Sequence, residues 1–100
     1  MRAFGYVLAT RHLVDNGRKV CFMYRERPDN KDDSGWRFFS GEEDQAYVDD
    51  PAHIAIYDIE TILRLDRDVE PYLSAPEGSA FEREDASQGF VPAELDASDK

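Results

Sequence analysis

Two groups of residues in this chain have types and spacing that invite a chemical reading. The loop Asn30-Lys31-Asp32-Asp33-Ser34-Gly35 sets oxygen ligands at the first, third and fifth positions of a calcium-binding loop, with glycine at the sixth. The twelfth position, where such loops place a bidentate glutamate, is Gly41, and Glu42 follows one residue late. Trp36 to Ser40 between them reads as a strand, so the two-helix frame is missing and an Asx-rich turn is the simpler reading. His12, His53 and Cys21 form the other group, since catalytic partners meet in space and not in sequence. Cys21 falls inside an apolar strand, where a thiol tends to stay protonated and inert. The chain also lacks a Gly-x-Ser-x-Gly elbow, a His-x-x-x-His pair and a phosphate-cradling glycine loop. No catalytic, metal or cofactor residue is assigned from the sequence.

What remains is a surface. The stretch from Asp32 to Asp44 sets the one tryptophan and the Phe38-Phe39 pair between two Ser-Gly turns, with acidic residues on both flanks. Trp36 has two readings: the core of a short buried strand, or a partly exposed anchor of an interface, where tryptophan is enriched. Glu42, Glu43, Asp44, Asp49 and Asp50 are either a solvated face or, beside the aromatics, a negative rim that steers a basic protein onto an apolar patch. The candidate partner-binding residues are therefore Asp33, Trp36, Glu42, Glu43, Asp44, Asp49 and Asp50.

The elements that position these residues follow from pattern. Gly5 to Thr10 and Lys19 to Arg25 are compact apolar runs consistent with strands, separated by the turn signal Asp15-Asn16-Gly17. In the second run both faces are largely apolar, which suits a central strand covered on one side by a helix. Residues 26–34 are polar or proline and read as a loop delivering a third strand at Trp36 to Ser40, stopped by Gly41. Gly35 and Gly41 are expected to need positive φ. Glu42 to Asp50 reads as a helical turn ending before Pro51, and Ile54 to Tyr57 as a short strand. Asp58 is placed to cap a helix from Ile59 to Leu65, whose Ile59, Ile62 and Leu63 share a face. Asp68 is read as the cap of a further short helix, and Ala80 to Glu84 as an edge strand or arm. Trp36 and Phe38, two apart, are expected to pack together on that helix. Asp85 to Lys100 is poor in large apolar residues and reads as an acidic tail without fixed structure.

The expectation is thus one α+β domain over residues 1–84, a small antiparallel sheet of four or five strands packed on one or two short helices, followed by the tail 85–100. One hundred residues bury only about 60 to 70% of the unfolded surface, so the core is small and its aromatic residues carry much of it. With 22 acidic and 12 basic side chains the formal charge is −10. Phosphates would be repelled, so nucleic acid is not an expected partner. A lone cysteine gives no internal disulfide, and the apolar run Phe4 to Ala9 is too short for a signal peptide. No stretch approaches the roughly 20 apolar residues of a membrane span. The expectation is a cytoplasmic protein, monomer or homodimer, with no membrane partner.

Several of these motifs together resemble a family. Asp33-Ser34-Gly35-Trp36-Arg37-Phe38, the Ser40-Gly41-Glu42-Glu43 turn, Tyr57-Asp58-Ile59-x-Thr61-Ile62 and Pro71-Tyr72-Leu73-x-x-Pro76-x-Gly78-Ser79-Ala80-Phe81-Glu82-Arg83 are similar, in order and spacing, to the bacterial family called immunity protein thirty-three. The likeness spans about residues 5–84. It implies a cytoplasmic α+β protein of a polymorphic toxin system that binds a cognate toxin domain and blocks its active site, without cofactor or catalysis. The residues alone leave two alternatives: a small regulatory or ligand-binding module with its pocket around Trp36, and a metal-dependent hydrolase using the acidic loops.

Overall fold

A computed structural model describes residues 5–93. The chain forms strands β1 (Tyr6–Thr10), β2 (Phe22–Arg25), β3 (Asp33–Phe39), β4 (Ile54–Tyr57), β5 (Ala80–Glu82) and β6 (Val91–Pro92). Its helices are α1 (Arg11–Asp15), α2 (Gln45–Val48) and α3 (Ile59–Leu65), with 3-10 turns at Pro51–His53 and Arg67–Tyr72. The strands make one six-stranded sheet in the order β4-β1-β3-β2-β5-β6. The α+β class holds, with more strands than expected and a mixed sheet in place of an antiparallel one. β1 runs parallel to β3, with Ala9 beside Phe38, while β4 and β2 pair antiparallel with β1 and β3 respectively. Alternation fixes which residues face the core; it does not say which strand lies alongside which.

β3 is the central strand. Its residues from Asp33 to Phe38 are all buried, and Trp36 and Phe38 stack with ring centroids 6.0 Å apart. As expected, these rings join Ile62 and Leu63 of α3 in one core, together with Val7, Met23 and Val69. The Trp36 indole N–H donates to the Leu73 carbonyl at 3.1 Å, so its one polar group is satisfied inside the core. Gly35 has φ +90°, and a Cβ there would lie 2.4 Å from the Glu26 carbonyl oxygen, so β2 and β3 approach more closely at this point than any side chain allows. Gly41, with φ +91°, meets the same expectation of positive φ.

Two local readings change. α1 is a single turn with no periodicity to betray it; the Thr10 hydroxyl accepts the Leu13 N–H at its start. Asp66, not Asp68, caps the Arg67–Tyr72 turn, because its carboxylate points inward. One oxygen accepts the Asp68 N–H at 3.1 Å, and the other accepts the Val20 N–H at 3.0 Å and pairs with Arg83. Asp58 does precede α3, but its side chain makes no capping bond.

The expected tail is corrected for residues 85–93. Phe90 is buried, lying under the Arg83 guanidinium at 4.3 Å and edge-on to Tyr72 at 5.5 Å, and β6 pairs with β5 through Glu82 opposite Val91. One aromatic ring with a prepared slot outweighs a polar composition around it. The remainder of the expected tail, residues 94–100, lies outside the described residues.

Candidate functional site

The sheet has two unlike faces. α1, α3 and the Arg67–Tyr72 turn supply Leu13, Ile62, Leu63 and Val69 to the core on one side, against Val7, Met23, Trp36 and Phe38. Residues one step out of phase point to the other side: Leu8 of β1, Phe22 and Tyr24 of β2, Arg37 and Phe39 of β3, and Ile54 and Ile56 of β4. On that side Phe22, Tyr24 and Phe39 are only half-buried and Ile56 is 62% exposed.

Phe22, Tyr24 and Phe39 form a triangle, each pair of ring centroids 5.8 Å apart, with Tyr24 and Phe39 stacked 13° from parallel. The triangle floors a depression of about 910 Å³ closed by the Ser40-Gly41-Glu42-Glu43 turn, Val48 of α2 and residues 84–86. Glu82, directly opposite Phe22 on the β2–β5 ladder, stands on the same face. A smaller recess of about 150 Å³ continues the floor past Tyr24, Arg37 and Phe39 toward Leu8 and Ile54.

Fixed charges lie beneath and around the rings. The buried Arg37 guanidinium bonds Asp33 on one side and Glu26 on the other. Burial opposes its charge, and the two carboxylates more than offset that, so its pKa is raised. Burial first, then the neighbouring Glu26, push the Tyr24 hydroxyl above the usual tyrosine range, with Arg37 pulling partly back. On the rim the Glu43 carboxylate is turned inward, accepting from the Thr10 hydroxyl and from the Ser40 and Gly41 N–H groups. Those bonds prevail over its burial and hold its pKa below the usual value. Glu42 bonds the His12 ring at 2.7 Å and lies 3.4 Å from Arg18, and these two contacts likewise lower its pKa.

The residues singled out from sequence divide accordingly. Asp33 and Trp36 are buried and have no surface to offer a partner; Asp33 holds Arg37, and Trp36 fills the core. Glu42 and Glu43 do line the depression. Asp44 and Asp50 accept backbone N–H groups as caps of α2 and of the Pro51–His53 turn, and Asp49 accepts from Gln45, so these three organise the α2 corner beside the stacked Tyr47 and His53 rings. The site residues not foreseen are Phe22, Tyr24, Phe39, Glu82 and Glu84. For Phe22 and Tyr24 the signal was present in the apolar run Lys19 to Arg25: both faces of the strand are apolar, yet the helices expected from the sequence are too few to cover two faces. The calcium-like loop is closed by its own bonds, with Asn30 accepting from the Asp32 N–H and Asp33 engaged by Arg37.

Among known proteins, the family model described as Immunity protein Imm33 domain matches residues 7–94 of the chain. No curated protein and no solved structure matches it.

Proposed function

This chain belongs to the Imm33 immunity-protein family, and from that membership we propose that it is a non-enzymatic, cytoplasmic immunity protein that binds a cognate toxin domain and neutralises it by covering the toxin's active site. The match over residues 7–94 carries the reading, since it takes in every strand of the sheet and not one motif alone. The geometry supports a protein partner, because the half-buried Phe22, Tyr24 and Phe39 rings beside an acidic turn follow the apolar-centre, polar-rim pattern of protein interfaces. Co-expression tests it: the reading frames flanking this gene, produced one by one in a heterologous host, should include a toxin domain that arrests growth alone and not when this protein is co-produced. Growth arrest that persists at matched toxin levels would remove the immunity reading.

A second reading, a small ligand-binding module, draws on one observation. The depression of about 910 Å³ lies within the roughly 300–1,000 Å³ of small-molecule sites. Native mass spectrometry of the purified protein separates the two, because a stoichiometric non-peptide adduct would favour the ligand module.

A further inference from the structure

On the premise that the protein binds a toxin, we infer that the toxin docks on the β2, β3 and β5 half of the open sheet face, with Lys or Arg side chains of the toxin arranged around an apolar centre. This places the interface away from the α2 corner that carries Asp44, Asp49 and Asp50.

The apolar centre on this side is the Phe22, Tyr24 and Phe39 triangle. Its rings brace one another at 5.8 Å and are already half-buried, so little side-chain freedom is left to lose on contact. The rim is acidic: Glu82 stands opposite Phe22 and Glu84 lines the same depression, both without an ion-pair partner among the described residues, while Glu42 lies against His12 and Arg18 and Asp85 accepts the Ser87 N–H. The basic groups nearby are largely engaged within the fold. Arg37 is bound by Asp33 and Glu26, Arg83 by Asp66 and Asp68, Arg18 lies against Glu42, and the Lys19 ammonium donates to the Leu65 carbonyl. A second copy of this chain would bring the same acidic rim against itself, in a protein whose formal charge is −10. A basic protein surface meets both features, gaining steering from the rim and desolvated contact at the rings. The α2 corner offers neither, since its carboxylates hold backbone caps and its rings stack on each other.

Association kinetics with the toxin domain of the adjacent reading frame test this. The double variant Glu82→Lys/Glu84→Lys changes two exposed side chains and should keep the wild-type melting curve. It should weaken binding at least tenfold, mostly through a slower association whose deficit shrinks as salt rises. Phe22→Ala should weaken binding mainly through faster dissociation. Asp49→Lys at the α2 corner and Glu60→Lys on α3 should stay within twofold of wild type. If the toxin domain binds and the Glu82/Glu84 variant binds within twofold of wild type, the surface is elsewhere while the immunity reading stands. If wild type does not bind the domain, the immunity reading fails and the surface with it. Wild-type sedimentation as a dimer that Glu82→Lys/Glu84→Lys alters would make a second copy the occupant and overturn the proposal.

Discussion

Arg37 and Asp33, four residues apart on β3, close a two-pronged ion pair in which Nη1 donates to Oδ1 at 2.9 Å and Nη2 to Oδ2 at 2.8 Å. The guanidinium is 4% exposed and the carboxylate 0%. The same carboxylate accepts the N–H groups of Asp29 and Gly35, both at 2.8 Å, so one side chain fixes the Pro28–Gly35 bend and the floor under Tyr24 together. Removing it leaves the buried guanidinium with the half-exposed Glu26 as its remaining carboxylate partner among the described residues and frees two amides. Asp33→Ala should therefore lower stability by about 3–5 kcal/mol, read as a fall in the urea midpoint; an unchanged midpoint would contradict the role assigned to the pair.

The pair also sets a pH dependence. Bonds from Arg37, opposed by burial and reinforced by the Asp29 and Gly35 amides, hold the Asp33 carboxyl well below the usual carboxylate range. A depressed folded-state value means that the stabilisation is complete above the unfolded value of about 3.9 and is lost as pH falls below it. Urea midpoints should fall from pH 5 to pH 3, and Asp33→Asn, already lacking the charge, should show a shallower fall over that range. Parallel slopes for the two proteins would assign the acid sensitivity to other carboxylates.

Gly35→Ala should destabilise the fold although it adds one methyl group. The new Cβ would lie 2.4 Å from the Glu26 carbonyl oxygen, and φ +90° is strained for any side chain. A loss of about 1–3 kcal/mol is expected, measured by thermal or urea unfolding. Full wild-type stability would mean that β2 and β3 do not approach as described.

Phe90 tests the far edge. With the ring buried against Arg83 and Tyr72, truncation after Glu84 should remove a core side chain and β6 together. Phe90→Ala is expected to cost about 3 kcal/mol, which in a domain of this size lowers Tm by roughly 12 °C or more. An unchanged Tm would restore the reading of residues 85–93 as a tail.

Much of the fold was legible because strands and the α3 helix announce themselves by alternation and by the Ile59, Ile62, Leu63 spacing. The parallel pairing of β1 with β3 was not, since nothing in either strand names its neighbour. β3 begins at Asp33, earlier than its aromatic run, because the Arg37 pair buries residues that look polar in sequence. Phe90 was hidden by composition, being a lone ring amid Ser, Asp and Gly. Of the candidate site, Glu42 and Glu43 were found because acidic clusters are visible in one dimension. The aromatic floor was missed because Phe22 and Phe39 face each other across the β2–β3 ladder, and only pairing brings them together. Trp36, the most conspicuous residue of the chain, is fully buried and serves the core.

The proposed immunity role requires direct binding of a basic toxin domain. Isothermal titration of the purified protein with the toxin domain it neutralises in co-expression, at about 0.05 M and 0.3 M salt, measures that binding. One toxin domain bound per immunity protein is expected, with an affinity that falls at the higher salt as screening shortens the reach of the acidic rim. An absence of binding at low salt, with both proteins folded, would contradict it.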